Sequence, residues 1–254
     1  DKNALDITET DEVLHFGEIN RPDVIINCAG ITDMDLCEKE PELAYRVNAL
    51  GARNLSIVAR KIGAKIVQIS TDDVFDGNKN TPYSEFDDTN PKTVYGRSKR
   101  AGENYVREFT HKHFVIRSSW IFGHGDNFVT RVLRKAGNGE LIEAAIDETG
   151  CPTSAKDLAR IILYLITTNE YGTYHATCKG LCSRYDFARE ILSLAGLHAE
   201  VKEISIADSK EHLVRPAYAV LDNFILRIID VYEMPKWKQS LEEYIAEWKE
   251  ETHE

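Results

Sequence analysis

The chain has 254 residues, 43% of them hydrophobic, and a formal net charge of −11. That is enough apolar material for a sizeable globular core, in one large domain or two small ones. An acidic balance of this size argues against nucleic acid and anionic membrane surfaces as partners, and no apolar run is long enough to span a bilayer. In chain order, the first expected strand is Asp23-Val-Ile-Ile-Asn-Cys-Ala-Gly30, which enters a turn of small residues. Pro41 to Ile62 reads as a helix, with Pro41 in its first turn and Gly63 just past its end. Ala64 to Ser70 reads as a short buried strand, Pro82 to Pro91 as a loop, Tyr95 to about His111 as a helix, and Phe114 to Trp120 as another strand. Ala155 to Thr168 carries an apolar stripe of Leu158, Ile161, Ile162 and Leu165, and Gly172 to Thr177 reads as a strand. Ser183 to Ala195 is a helix opened by an N-cap serine, with Asp186 at the capping-box position. The tail from Trp237 is amphipathic and acidic, with Trp237 and Trp248 as packing residues. Strands alternating with helices imply an α/β fold, a parallel sheet with helices on both faces.

Five cysteines, Cys28, Cys37, Cys151, Cys178 and Cys182, are odd in number and scattered. Together with the absence of a signal-peptide pattern at the start, they lead to the expectation of reduced, buried thiols in a cytoplasmic protein. The eight histidines have no metal-ligand spacing and are expected at the surface or as caps, so no metal is expected.

The chemistry concentrates in two short segments, Ser70-Thr-Asp72 and Tyr95-Gly-Arg-Ser-Lys99. The first lies where a buried strand ends, and ligands of open α/β sheets sit beyond the carboxyl ends of their strands. The second places a phenol and an ammonium one helical turn apart on one face. A lysine cation beside a tyrosine favours the phenolate, so the Tyr95 pKa is expected to fall from about 10 toward neutrality. Such a tyrosine exchanges a proton with a carbonyl or an alcohol, and the Thr71 hydroxyl is placed to hold the same oxygen. A nucleophilic role for Ser70 or Thr71 lacks a histidine nearby in sequence.

These segments, with Leu5-Asp-Ile-Thr8, Arg21-Pro-Asp-Val-Ile-Ile-Asn-Cys-Ala-Gly30, Glu40 to Ala49, Arg117-Ser-Ser-Trp-Ile-Phe-Gly123, Asn127-Phe-Val129, Gly150-Cys-Pro-Thr153 and Arg215-Pro216, run in order over nearly the whole chain. In them the chain resembles the extended short-chain dehydrogenases/reductases, and more narrowly the dTDP-4-dehydrorhamnose reductases. The resemblance implies a Rossmann-like parallel sheet with a smaller, interleaved C-terminal substrate-binding domain. Residues 1–120 and 153–178 would form the nucleotide-binding part, and residues 121–152 and 179–254 the substrate-binding part. It implies reduction of the 4-keto group of a nucleotide-linked deoxysugar by NADPH or NADH, in a monomer or homodimer. Tyr95 would protonate the carbonyl oxygen, Lys99 would lower its pKa and bond the nicotinamide ribose, and Thr71 would complete the triad. Asp6 and Ile7 would flank the adenine. Ala29, Gly30, Thr32, Asn48, Ser70 and Ser118 would lie along the cofactor. Asp72, Asp73, Trp120 and Asn127 would contact the sugar nucleotide, and Arg215 its diphosphate.

The chain departs from the family pattern in three places. The family usually has tyrosine where Asp73 stands and glutamine where Glu148 stands. It also opens with a strand, a glycine-rich turn and a helix whose N-terminus binds the pyrophosphate. This chain is expected to begin near the end of the second strand, with the first strand and glycine-rich turn missing, and Asp1 as the acid that meets the adenosine ribose. Two other readings stay open: a non-catalytic regulatory subunit of the same fold, like the β subunit of methionine adenosyltransferase, and a nucleotide-sugar epimerase or dehydratase.

Overall fold

The computed structural model describes residues 5–208, 215–229 and 232–253; Asp1 lies outside them. Helix α1 (Thr10–Asn20) leads into strand β1 (Val24–Asn27). The Asp33 carboxylate caps α2 (Met34–Lys39) by accepting from the Leu36 N–H at 2.9 Å. Pro41 opens α3 (Pro41–Tyr45), where its missing N–H costs nothing. The chain then runs through a π-helical turn, Arg46–Gly51, into α4 (Ala52–Ile62). Gly63 ends it at φ +78°, a left-handed conformation that glycine adopts without strain. The helix read over 41–62 is therefore present, with a wide turn in its middle. The turn is tied down by Asn48, whose side chain accepts from the Ile31 N–H at 2.8 Å and donates to the Ile31 carbonyl and the Ser98 hydroxyl, each at 3.0 Å.

Strand β2 (Lys65–Thr71) is followed by α5 (Val94–Phe109), β3 (His113–Ser118), β4 (Ile121–Phe122), α6 (Phe128–Gly137), β5 (Ile142–Ala145), β6 (Thr149–Gly150), β7 (Thr153–Ser154), α7 (Ala155–Leu165) and β8 (Gly172–His175). Next come β9 (Cys182–Ser183), α8 (Arg184–Ala195), β10 (Val201–Ile204), α9 (Phe224–Ile228) and α10 (Trp237–His253). The main sheet has the order β1-β2-β3-β8, and every pairing in it is parallel. The period-2 alternation of its strands divides the core. Ile66 and Val115 face a cluster with Val13, Leu55, Val58 and Val106, under α1, α4 and α5. Val67, Phe114 and Ile116 face the larger cluster, which holds Leu158, Ile161 and Leu165 of α7, Phe187 of α8 and Trp237 of α10. The expected α/β fold, a parallel sheet covered by helices, is the one observed. The Ser183–Asp186 capping box also forms, with the Ser183 hydroxyl donating to Asp186 at 2.7 Å and accepting from its N–H at 3.0 Å.

One expectation is corrected by the core. His175, read as a surface or capping histidine, is fully buried on β8. Arg117 carries only donors and places Nη1 3.4 Å from His175 Nε2, so Nε2 accepts. Nδ1–H then donates to the carbonyl of Tyr83 at 3.0 Å or of Asp222 at 3.1 Å. The ring is held neutral: burial, then the Arg117 charge, push its pKa down to about 3. The unfolded chain binds a proton at this residue below about pH 6.5, whereas the folded chain does not, so stability is lost as pH falls from 6.5 toward 3. Replacing His175→Gln should flatten the fall in unfolding free energy between pH 6 and 4 by about 1.4 kcal/mol per pH unit, measured by urea titrations across that range. An unchanged slope would show that His175 is not the neutral, buried group described.

Candidate active site

The carboxyl ends of β2 and β3 open into a cavity of about 580 Å³. One wall is the turn after β1, with Cys28, Gly30 and Thr32; the opposite wall carries Glu148, Arg184 and Arg215. Ser70, Thr71, Asp72, Asp73, Tyr95, Lys99, Ser118 and Trp120 lie between them. Thr93 caps α5 by accepting from the Gly96 N–H at 3.0 Å, so Tyr95 sits in the helix's first turn. Gly96 brings that turn hard against the 72–74 segment: a Cβ added to it would lie 2.2 Å from the Asp73 carbonyl oxygen. This close approach is what sets Tyr95 beside Thr71.

Lys99 lies one turn further along α5, buried, and donates to the Ile69 carbonyl at 2.6 Å. Burial pushes its pKa down to about 8, against the pull of Glu103 one turn on. Gly30 completes a cradle over it, since an added Cβ there would meet Asn48 Oδ1 at 3.0 Å and Lys99 Nζ at 3.7 Å. A flat or extended group can approach the backbone at this point, which is the use of glycine in a ligand-facing turn. The small side chains on this wall and the buried ammonium beside them fit a ribose bearing hydroxyl acceptors.

Tyr95 differs from its expected state. Burial, and then the negative charge of Asp73, push its phenol above the ordinary value, with a hydrogen bond from Thr71 opposing them. The Lys99 ammonium donates to the Ile69 carbonyl rather than to the phenol. The expected fall toward neutrality is therefore absent, and Tyr95 is held as a protonated phenol. Thr71 is the hub beside it: its hydroxyl lies 3.1 Å from Asp72 Oδ1 and 3.4 Å from Asp73 Oδ2, and it accepts from the Asp73 N–H at 3.2 Å. Asp72 also accepts from the Ser119 hydroxyl at 2.7 Å. Desolvation raises the pKa of both carboxyls, and Asp72 raises that of Asp73 further.

Five of the other expected residues, Asn127, Asn48, Asp6, Ile7 and Ala29, fall outside the cavity wall. Asn127 is occupied as the cap of α6: its Oδ1 accepts from Val129 and Thr130 N–H, and its Nδ2 donates to the Gly123 and Gly125 carbonyls. Asn48 secures the Gly30–Ile31 turn from behind. Asp6 accepts from the backbone and hydroxyl of Thr8, Ile7 packs on Gly51, and the Ala29 N–H donates to Asn27. Ser118 lines the cavity while donating to the Ala176 carbonyl, and Ser70 while donating to Glu103 at 2.6 Å. Sequence reading missed Arg184. A signal was present, because an arginine directly after an N-cap opposes the helix dipole and calls for a reason.

The profile of the RmlD substrate binding domain family matches residues 1–250. The chain belongs to that family. It is 37% identical over 248 residues to the spore coat polysaccharide biosynthesis protein SpsK of Bacillus subtilis, covering 97% of this chain and 87% of that one. It superposes on a crystal structure of a dTDP-4-dehydrorhamnose reductase from Clostridium acetobutylicum with a TM-score of 0.96 and 42% identity, covering 98% of this chain and 89% of that one. A dTDP-4-dehydrorhamnose reductase from Bacillus anthracis, solved in complex with NADP, gives a TM-score of 0.95 and 40% identity, with 97% and 88% covered. The Rossmann-like fold inferred from the RmlD-family resemblance is thus the fold of its solved relatives.

The packing at Tyr95 is directly testable. Gly96→Ala should destabilise the protein by about 1–3 kcal/mol through overpacking against the Asp73 carbonyl. Gly137→Ala, in α6 with nothing within 4 Å of its added Cβ, should instead be neutral or stabilising. Urea denaturation of the two variants separates them, and equal effects would show that α5 does not press on the 72–74 turn.

Proposed function

We propose that this chain reduces the 4-keto group of a nucleotide-linked deoxysugar, with dTDP-4-dehydrorhamnose as the first substrate to test and NADPH as the reductant. The observation that carries the reading is the convergence of Thr71, Tyr95 and Lys99 on one cavity at the carboxyl end of the sheet. The RmlD-family relatives named as dTDP-4-dehydrorhamnose reductases, one of them solved with NADP, support the substrate class and the cofactor. Residues 1–120 and 153–178 serve as the nucleotide-binding part, and residues 121–152 and 179–254 as the substrate-binding part. The main sheet comes from the first set, and Glu148, Arg184 and Arg215 reach the cavity from the second. All five cysteines are free thiols, which suits work in the cytoplasm; four are buried as expected, and Cys28 is exposed on the turn after β1.

When bound, the nicotinamide supplies the hydride. The protein supplies the proton and the geometry. Reduction of a carbonyl needs an acid that is loaded with its proton at neutral pH, and the raised pKa of Tyr95 keeps it loaded. The Thr71 hydroxyl fixes the phenol and the carbonyl oxygen in line, with Asp72 and Asp73 orienting that hydroxyl in turn. Lys99, locked on the Ile69 carbonyl beside Gly30, holds the ribose and offers a positive charge to the phenolate left after proton transfer. Ser118 and Ser70 tie the strand ends beside it to the Ala176 carbonyl and to Glu103.

Tyr95→Phe should lower kcat by about 10²–10⁴-fold while leaving NADPH affinity near that of the wild type, as read by steady-state turnover and fluorescence titration. Wild-type turnover in that variant would remove Tyr95 as the acid. The charge on Lys99 is present below its pKa of about 8 and is lost above it. Activity should therefore fall as pH rises through that value, and Lys99→Arg, a cation at every accessible pH, should move the falling limb upward in a pH–rate profile. At Asp73 we infer an altered sugar preference, because a carboxyl in that place bonds hydroxyl or amino groups rather than stacking on a ring. Asp73→Tyr should raise kcat/KM on dTDP-4-dehydrorhamnose; no change, with ordinary wild-type turnover, would make the position irrelevant to specificity.

A further inference from the structure

Trp120 lines the cavity with its ring packed against other groups of the protein. It leaves the end of β3 at φ +44°, the left-handed region that few side chains adopt, and its carbonyl is held by the Thr153 N–H at 3.2 Å. Gly150 packs on the indole so closely that an added Cβ would lie 2.4 Å from Trp120 Cε2. The Arg184 guanidinium lies over the same ring, 3.6 Å from its centroid, and 5.0 Å from that of Phe128. The aromatic surface at this end of the cavity is thus a platform that carries a cation.

That cation is positioned for use. Arg184 Nε donates to Glu148 Oε1 at 3.1 Å, and the same oxygen stands 4.0 Å from Arg215 Nη1. Its two Nη groups donate to no other residue among the described ones, while its side chain lines the cavity. Among the described residues Glu148 faces both guanidinium groups, Asp72 also acts on Arg184, and the Arg184 fork stays open toward the cavity. A guanidinium fork matches phosphate oxygens in pairs, and an aromatic bed beneath it lowers the freedom it loses on binding.

We propose that Arg184 binds the diphosphate of the nucleotide sugar together with Arg215, with Trp120 as its platform and Glu148 as the carboxylate that aligns both guanidinium groups before the substrate arrives. This assignment rests on the nucleotide-sugar reading above. Burial raises the pKa of both Asp72 and Asp73, so they oppose an anion less than two full charges would.

The test uses the full chain loaded with NADPH, with dTDP and thymidine as probes. R184M should weaken dTDP binding by about 10- to 100-fold in calorimetry, the range expected for a lost charge-assisted hydrogen bond. R184K should recover part of it. Thymidine binding, followed by NMR, and NADPH affinity should match the wild type. R184Q keeps a planar polar group on the indole without the charge, and is read the same way if the methionine variant fails to bind NADPH. Unchanged dTDP affinity in R184M or R184Q overturns the assignment, as does an equal weakening of thymidine, which would mark Arg184 as packing under the nucleoside. A wild-type chain that binds NADPH but not dTDP overturns the nucleotide-sugar reading itself, and this assignment with it.

Discussion

A carboxylate with no water around it governs the geometry of this molecule. Glu103 is 0% exposed on α5. It accepts from Ser70 on β2 at 2.6 Å, from Arg117 on β3 at 2.9 and 2.8 Å, and from Arg100 on its own helix at 3.1 Å. Burial alone would raise its pKa, but these donors and the Arg117 charge hold it below the usual carboxylate value. Removing one partner of such a buried pair costs about 3–5 kcal/mol, so the helix cannot slide along the sheet without losing the arrangement. Lys99 and Tyr95 stand one and two turns earlier on the same stripe of α5. Their heights above Thr71 are fixed by a residue that never touches the cavity. Gly96 and Gly102 complete the constraint from the other side, by letting α5 approach the Asp73 carbonyl and the Asn48 carbonyl more closely than any side chain permits.

The cavity is consequently ordered by charge from end to end. The Lys99 ammonium and the Gly30 turn occupy the sheet side, Tyr95 and Thr71 the middle, and the Glu148–Arg184–Arg215 cluster the far wall. A protonated phenol stands between two cationic regions, with carboxyl groups of raised pKa around the threonine that orients it. This order suits proton donation to a neutral carbonyl carried by an anionic handle, and it arises from packing among the protein's own side chains.

Much of this was legible in the sequence. The alternation of strands and helices, the Gly63 stop, the Ser183–Asp186 cap and the Thr71, Tyr95, Lys99 constellation are local patterns, and each reports a local cause. What was not legible depends on contacts far apart in the chain. Lys99 was expected to depress the Tyr95 pKa because the two are one helical turn apart. Burial and the Asp73 charge raise it instead, and the ammonium donates to the Ile69 carbonyl, 30 residues away in sequence. His175 is polar and was expected outside, but Arg117 on the neighbouring strand and two carbonyls satisfy it in the core. Asn127 precedes a helix, and its amide is spent on capping that helix. Arg184 entered the cavity because Trp120 and Phe128 gave its guanidinium a flat surface, which no spacing rule reveals.

The π-helical turn at Arg46–Gly51 bears on how this region tolerates change in length. Such a turn holds one residue more than an α-helical turn of the same height. Deleting a single residue there would restore regular pitch, yet it would also rotate everything on one side of it by about 100° relative to the other, the angle per residue of an α-helix. Asn48 would then leave the Ile31 backbone and Ser98, or α4 would carry Leu55 and Val58 off the sheet. The extra residue is thus a phase correction between two fixed faces of one rod, one clasping the loop at Gly30 and the other seated on the core. Sequences that keep both faces must also keep the count of residues between them.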